Sequence, residues 1–126
     1  MKRLIVSLVL FAAVLGVCVF GVRFVKQSYE KINSELICSE QCAKNGDFSG
    51  AAKAAKRAEE IYTKREQALA AFIKHDILDE VGVCLAAAAP LAEKESKQEF
   101  LSAVSQAKVA LTHIRNDHKF LLGNLF

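Results

Sequence analysis

The chain has 126 residues, one small domain's worth, and 52% of them are hydrophobic. Its formal charge of +3 overstates its basicity: four of the seventeen Lys/Arg flank one apolar run, and from Gln27 onward thirteen Lys/Arg stand against fourteen Asp/Glu, a net of −1. With no basic face and no interleaved aromatics, the composition speaks against a nucleic-acid partner.

From Leu4 to Val22 the sequence LIVSLVLFAAVLGVCVFGV carries no charge and one hydroxyl, Ser7, between Lys2 and Arg3 on one side and Arg23 and Lys26 on the other. At about 1.5 Å per residue this run is about 28 Å long, close to the ~30 Å hydrocarbon core of a bilayer. A secretory signal has a shorter apolar region and a small-residue cleavage site. Val19-Phe20-Gly21 is a mediocre one, and Val17 stands before Cys18 where a lipoprotein signal wants a small residue. The reading is therefore an uncleaved anchor over residues 1–25 and a domain over 26–126. Lys and Arg on both flanks give nearly a tie in orientation, and the very short N-terminal tail places the domain outside the cytoplasm. Ala12 and Gly16 have a spacing that lets a second membrane helix pack closely.

The helical pattern continues past the anchor: Val25, Tyr29, Ile32, Leu36, Ser39 and Ala43 recur at steps of four and three. It ends at KNGDF, where Gly46 suits a helix C-terminus and Asp47 or Ser49 can cap the next helix. A second helix is predicted over Ser49–Lys74, with Ala51, Ala52, Ala55 and Ala58 leading to Tyr62, Leu69, Phe72 and Ile73 on one face. The two form an antiparallel hairpin, and GDFSGAAKAAKRAEEIY resembles the turn and second helix of a single tetratricopeptide unit. A third helix is predicted from Asp76, as cap, with Ile77, Val81, Cys84 or Leu85, Ala88 and Leu91 inward, and Pro90 should kink or end it near Ala89. A fourth carries Phe100, Val104, Ala107, Leu111 and Ile114 until RNDH interrupts it, leaving KFLLGNLF as an apolar tail. No segment alternates with a period of two, so the fold class is all-α, a membrane helix continuing into a bundle of about four helices.

The combination of MKRLIVSLVLF, NGDFSGAAKAAKRAEEIY, FIKHDILDEV and the terminal LLGNLF resembles the domain-of-unknown-function 4363 family, small membrane-anchored helical proteins of Gram-positive anaerobes. Phe72, Ile73, His75, Asp76 and Ile77 approximate one family segment, and Asn124, Leu125 and Phe126 its C-terminal ending. The Ala86–Ala89 run, Pro90 and the cysteines depart from it. The resemblance implies a fold and a location and no known activity.

Cys38 and Cys42, one helical turn apart, share a face. With Cys84 and His75 they fall short of a zinc set, because a second close pair is missing. A disulfide from Cys84 to Cys38 or Cys42 is open to an exported domain, and the plain expectation is buried or half-buried thiols, with Cys18 a packing residue in the span. His75 beside Asp76 and Asp79 lacks an accompanying nucleophile and reads as a surface group; His113 and His118, five apart, suit no shared ligand. There is no phosphate loop or dinucleotide fingerprint, and no cofactor or catalytic residue is expected. The expected function is a protein-contact role, as an accessory or scaffold subunit at the cell envelope. Its partner would be another membrane or envelope protein or a second copy, and its contact surface Ala51, Ala55 and Ala58 or the tail residues Leu122, Leu125 and Phe126. The alternative is an extracytoplasmic small-ligand sensor that signals through the membrane helix.

Overall fold

A computed structural model describes the backbone of residues 1–125 and the side chains of residues 1–116. Four helices follow one another: α1 (Lys2–Lys44), α2 (Phe48–Leu69), α3 (His75–Glu93) and α4 (Lys97–Leu125). The described residues contain no strand. Each helix packs on its neighbours in the order α1–α2–α3–α4–α1, which leaves α1 diagonal to α3 and α2 diagonal to α4. Short connections make this an antiparallel up-and-down bundle.

α1 is one unbroken helix of 43 residues, about 65 Å long. Its outer half is bare: the large apolar side chains from Leu4 to Phe20 are exposed, Phe20 by 67%. Its inner half buries Gly21, Val25, Ser28, Ile32, Leu36, Ser39 and Ala43, the expected stripe carried four residues further back, with Ser28 in the place of Tyr29, which is half-buried. The two buried serines satisfy their hydroxyls within the helix, Ser28 donating to the Phe24 carbonyl and Ser39 to that of Leu36, both at 2.8 Å. Gly46 closes the helix at φ +83°, and Asp47 caps α2 by accepting a hydrogen bond from the Gly50 amide at 3.0 Å.

The core tapers in side-chain size. Away from the bare half of α1 it is built from Ala43, Ala51, Ala55, Ala88 and Ala92, with Phe100 as the large filler. Toward that half come Tyr62, Leu69, Leu78, Val81, Leu111 and Ile114. Among the described residues, each of the four seams carries an ion pair: Arg57–Glu35 at 3.0 Å joins α2 to α1 and Lys108–Glu40 at 2.9 Å joins α4 to α1. Lys56–Glu93 at 2.9 Å joins α2 to α3, and His113–Glu80 at 3.5 Å joins α4 to α3 when the imidazole is protonated.

Several expectations are corrected. α2 ends at Leu69, not Lys74; the amides of Phe72 and Ile73 both turn back to the Leu69 carbonyl at 2.9 Å, a tightened last turn that lets Leu69 and Ile73 both reach the core. α3 starts at His75 with Lys74 at the cap position, so Asp76 lies in the first turn and caps nothing. Its buried face is Leu78, Val81, Leu85, Ala88, Ala89 and Ala92, one residue round from the expected one, with Ile77, Cys84 and Leu91 half-buried beside it. Pro90 is accommodated within α3, which continues to Glu93. The missing amide costs one bond near the end of the helix, and the Pro90 carbonyl still accepts from Lys94. Glu95 follows at φ +59°, a left-handed C-terminal stop made without glycine. α4 runs through RNDH without a break.

Because Ala55 is fully buried, Ala55→Leu should destabilise the bundle by about 1–3 kcal/mol through overpacking. Thermal unfolding of the variant beside the parent checks this, and an unchanged melting temperature would mean the alanine face is not close-packed.

Candidate functional site

The sequence candidates scatter. All four cysteines are unpaired in the structure: Cys18 and Cys38 are exposed, Cys42 and Cys84 half-buried. The expectation of buried or half-buried thiols therefore fails at Cys38, which lies just off the face that buries Ser39. Cys42 and Cys38 adjoin, and burial together with the neighbouring Cys38 holds the Cys42 thiol above its ordinary value. Burial, then Glu80, does the same to Cys84. A raised pKa lowers thiolate content and reactivity. Cys84 sits on α3, diagonal to the helix that carries the other two. No cluster of three metal-ligating side chains occurs among the described residues.

Ala51, Ala55 and Ala58 are fully buried against the neighbouring helices, so they form core and not a contact surface. Their small side chains are what allow that packing. Leu122, Leu125 and Phe126, as well as His118, lie outside the described side chains. His75 is exposed at the start of α3.

What the structure does build is a junction where the bare half of α1 enters the bundle. Gly21 is buried, and a Cβ placed there would meet Phe72 Cε1 at 2.5 Å. An edge of the Phe72 ring, from the α2–α3 turn, thus lies against the backbone of α1 in the space a side chain at position 21 would occupy. One turn further, the Arg65 guanidinium of α2 sits 5.3 Å from the Phe24 ring centroid and donates from Nη1 to Ser28 Oγ at 3.0 Å. On the other flank the Arg115 guanidinium of α4 lies 5.4 Å from the Tyr29 ring. Each such cation–π contact contributes about 0.5–1 kcal/mol at a partly exposed site. Phe72, Arg65 and Arg115 therefore hold α1 from α2, its following turn and α4 within nine residues of Gly21. Sequence reading passed over Arg65 and Arg115 and gave Phe72 only a place on the α2 face, although Gly21 stands four residues before Val25 and the Val25–Ala43 stripe extends back onto it.

The family model described as a domain of unknown function, DUF4363, matches residues 19–125. The chain belongs to the DUF4363 family. Comparison with curated proteins and with solved structures gave no match. The matched region begins before Gly21, so the DUF4363 domain contains the whole junction as well as the four-helix bundle, and the last turn of the apolar run belongs to it.

The DUF4363 domain also buries one polar side chain that crosses between helices. Tyr62, on α2, donates its hydroxyl to the Leu78 carbonyl of α3 at 2.5 Å. Gly82 makes room, since a Cβ there would meet Tyr62 Cε1 at 3.3 Å. Burial first, then Glu66 and Asp79, pushes the Tyr62 pKa up to about 12 from its ordinary 10. The folded state holds that proton more tightly than the unfolded chain. The contribution of Tyr62 is thus intact below about pH 10 and is lost as pH rises toward 12, by about 1–3 kcal/mol. Tyr62→Phe should cost about 1 kcal/mol at neutral pH and flatten this alkaline loss. Denaturant unfolding at several alkaline pH values tests it, and equal slopes for both proteins would disprove the assignment.

Proposed function

We propose that this protein is a single-pass membrane protein of the cell envelope whose helical bundle, placed outside the cytoplasm, works by contact with another membrane or envelope protein and not by catalysis. The observation that carries the reading is α1 itself. It is bare and apolar from Leu4 to Phe20, with a mean hydropathy of 2.8 over its best window, and then enters the bundle with no linker. Outside that stretch the large apolar residues left exposed among the described ones are Met1, Ile37, Val83 and Val109, so the bundle is finished as a water-facing body and the bare half-helix is not. The bundle's grip on Gly21, within the best but mediocre cleavage site Val19-Phe20-Gly21, favours retention of the apolar segment over its removal.

The contact surface this reading selects is the outer side of α3 and α4. Residues 81–92 of α3 and 100–107 of α4 carry no charge. Ala87 and Leu91 line the α3–α4 groove with Ser102, Ala103 and Gln106; Val109 is 54% exposed, and Val83, 71% exposed, stands at the α2 edge of this side, where Glu59, Glu66 and Asp79 also line a groove. The α1–α2 side is charged instead, with Glu30, Lys31 and Glu35 lining a surface groove there. Depletion of charge is what marks the centre of a protein contact. The sensor alternative calls for an enclosed hollow, whereas the described ones, such as that between Phe48, Ala52, Lys56 and Ala92, are grooves open at the surface.

Two measurements test the proposal. Exposed Cys38 should react with a membrane-impermeant maleimide on intact cells, ahead of half-buried Cys42 and Cys84; reaction only after lysis would put the bundle in the cytoplasm. A photo-crosslinking amino acid at position 87 should give a discrete adduct in membranes that Val83→Lys abolishes, while one at position 31 should give none. Equal adducts from both positions, or none from either, would remove the α3–α4 contact surface.

A further inference from the structure

We infer that the α2–α3 turn is a second membrane-contacting element: its tip, Ala70 to Lys74, sits in the interface between acyl chains and headgroups of the bilayer that α1 crosses. The inference rests on the membrane reading above and adds the bundle's own seat on the phospholipid.

The first support is a measure of depth along α1. A hydrocarbon core of ~30 Å takes up about twenty helical residues, and the apolar run ends at Val22. The Phe72 ring lies on Gly21, inside that run and two residues short of Arg23, about 3 Å along the axis. An α1 that spans the bilayer therefore carries Phe72 with it to the edge of the acyl region. No linker exists that could lift the turn away, because α1 is continuous from Lys2 to Lys44.

The chemistry of the three turns is the second support, and it is independent of that measure. The two turns at the far end of the bundle read KNGD and KESK, dense in charge and amide as a water-facing loop should be. The turn at the near end reads AAFIK. It contains no glycine, proline, Asn, Asp or Ser, and Ala70 and Ala71 stand exposed with Phe72 half-buried behind them. A loop tip whose one charge is the terminal Lys74 gains little in water from its other four residues and loses little in an interface, where aromatic rings are favoured. Lys74 at the turn, and Arg23 and Lys26 on the outer side of α1 at a similar depth, are exposed and long enough to reach lipid phosphates while their stems stay in the apolar layer.

The consequence is a bundle that stands on the membrane at two points, so that its axis and rotation are set by the lipid surface as well as by α1. The test uses the full chain in vesicles of phosphatidylcholine and phosphatidylglycerol, with the native cysteines replaced and one environment-sensitive fluorophore attached at a time, through Ala12→Cys, Ala71→Cys or Asn45→Cys. Quenching by lipids with a nitroxide either high on the acyl chain, for the interface, or near its end, for the bilayer centre, is compared with quenching by aqueous iodide. The expected result is lipid quenching and blue-shifted emission at positions 12 and 71, with iodide quenching at position 45. Lipid quenching at 12 with 71 behaving like 45 overturns the interfacial turn and leaves the membrane helix standing. Loss of lipid quenching at 12 overturns the membrane reading and this inference with it.

Discussion

Gly21 has no side chain, and the ring of Phe72 fills the space one would occupy, so the bundle takes hold of α1 immediately after the last residue exposed as bare hydrocarbon. Everything else about the molecule's arrangement depends on that contact. A domain tethered by a flexible segment would be free to tumble above its anchor. Here the anchor is the first helix of the domain, and its direction is the bundle axis. Arg65 over Phe24 and Arg115 over Tyr29 then brace α1 from two sides. Movement of the apolar helix relative to the bundle would have to break these contacts together.

Holding that axis requires a bundle with one register, which an alanine-lined core does not guarantee by itself. Small, similar side chains define few distinct holes, and a helix one turn out of place would lose little packing. Larger side chains toward the junction remove that ambiguity, because Tyr62 reaches the Leu78 carbonyl only where Gly82 gives it room. The ion pairs act in the same direction. Each is partly exposed and contributes little to stability, yet the slip of any one helix by a turn breaks the pairs on both of its seams. Register is thus specified by a polar contact inside and charge pairs outside, while the alanines supply close approach.

Much of this was readable from spacing. The α4 series from Phe100 to Ile114, the Gly46 stop, the Asp47 cap and the α1 stripe, apart from Tyr29, whose place Ser28 takes, follow from helical periodicity and local turn chemistry, and the structure places them as expected. The departures occur where tertiary packing overrides local preference. Nothing in ALAAFIK breaks a helix, so the turn after Leu69 exists because Leu69, Phe72 and Ile73 each find a burial site that a continued helix would deny to one of them. In α3 nearly every residue from Val81 to Ala92 is apolar, so periodicity had no polar face to measure against, and the inward side was misjudged by one residue. Glu95 does a glycine's work at positive φ, and Pro90 near a helix end costs too little to stop it. The junction was hidden for another reason: its grip comes from residues 44 and 51 positions away from Gly21 in the sequence, a distance over which local pattern carries no signal.

The ring order of the helices separates two faces by which the protein could meet its neighbours. With neighbouring axes about 8–10 Å apart, the diagonal from α1 to α3 is about 11–14 Å. In the proposed membrane orientation the outer side of α3 would therefore stand more than one helix diameter from the point where α1 enters the bilayer. A membrane helix packed against Ala12 and Gly16 would run up beside α1 and not meet Val83 and Ala87. A partner on the α3–α4 face would need either a soluble domain or a span of its own set well apart from α1. Under that reading one rigid helix would present two surfaces at different heights, and occupation of one would leave the other open.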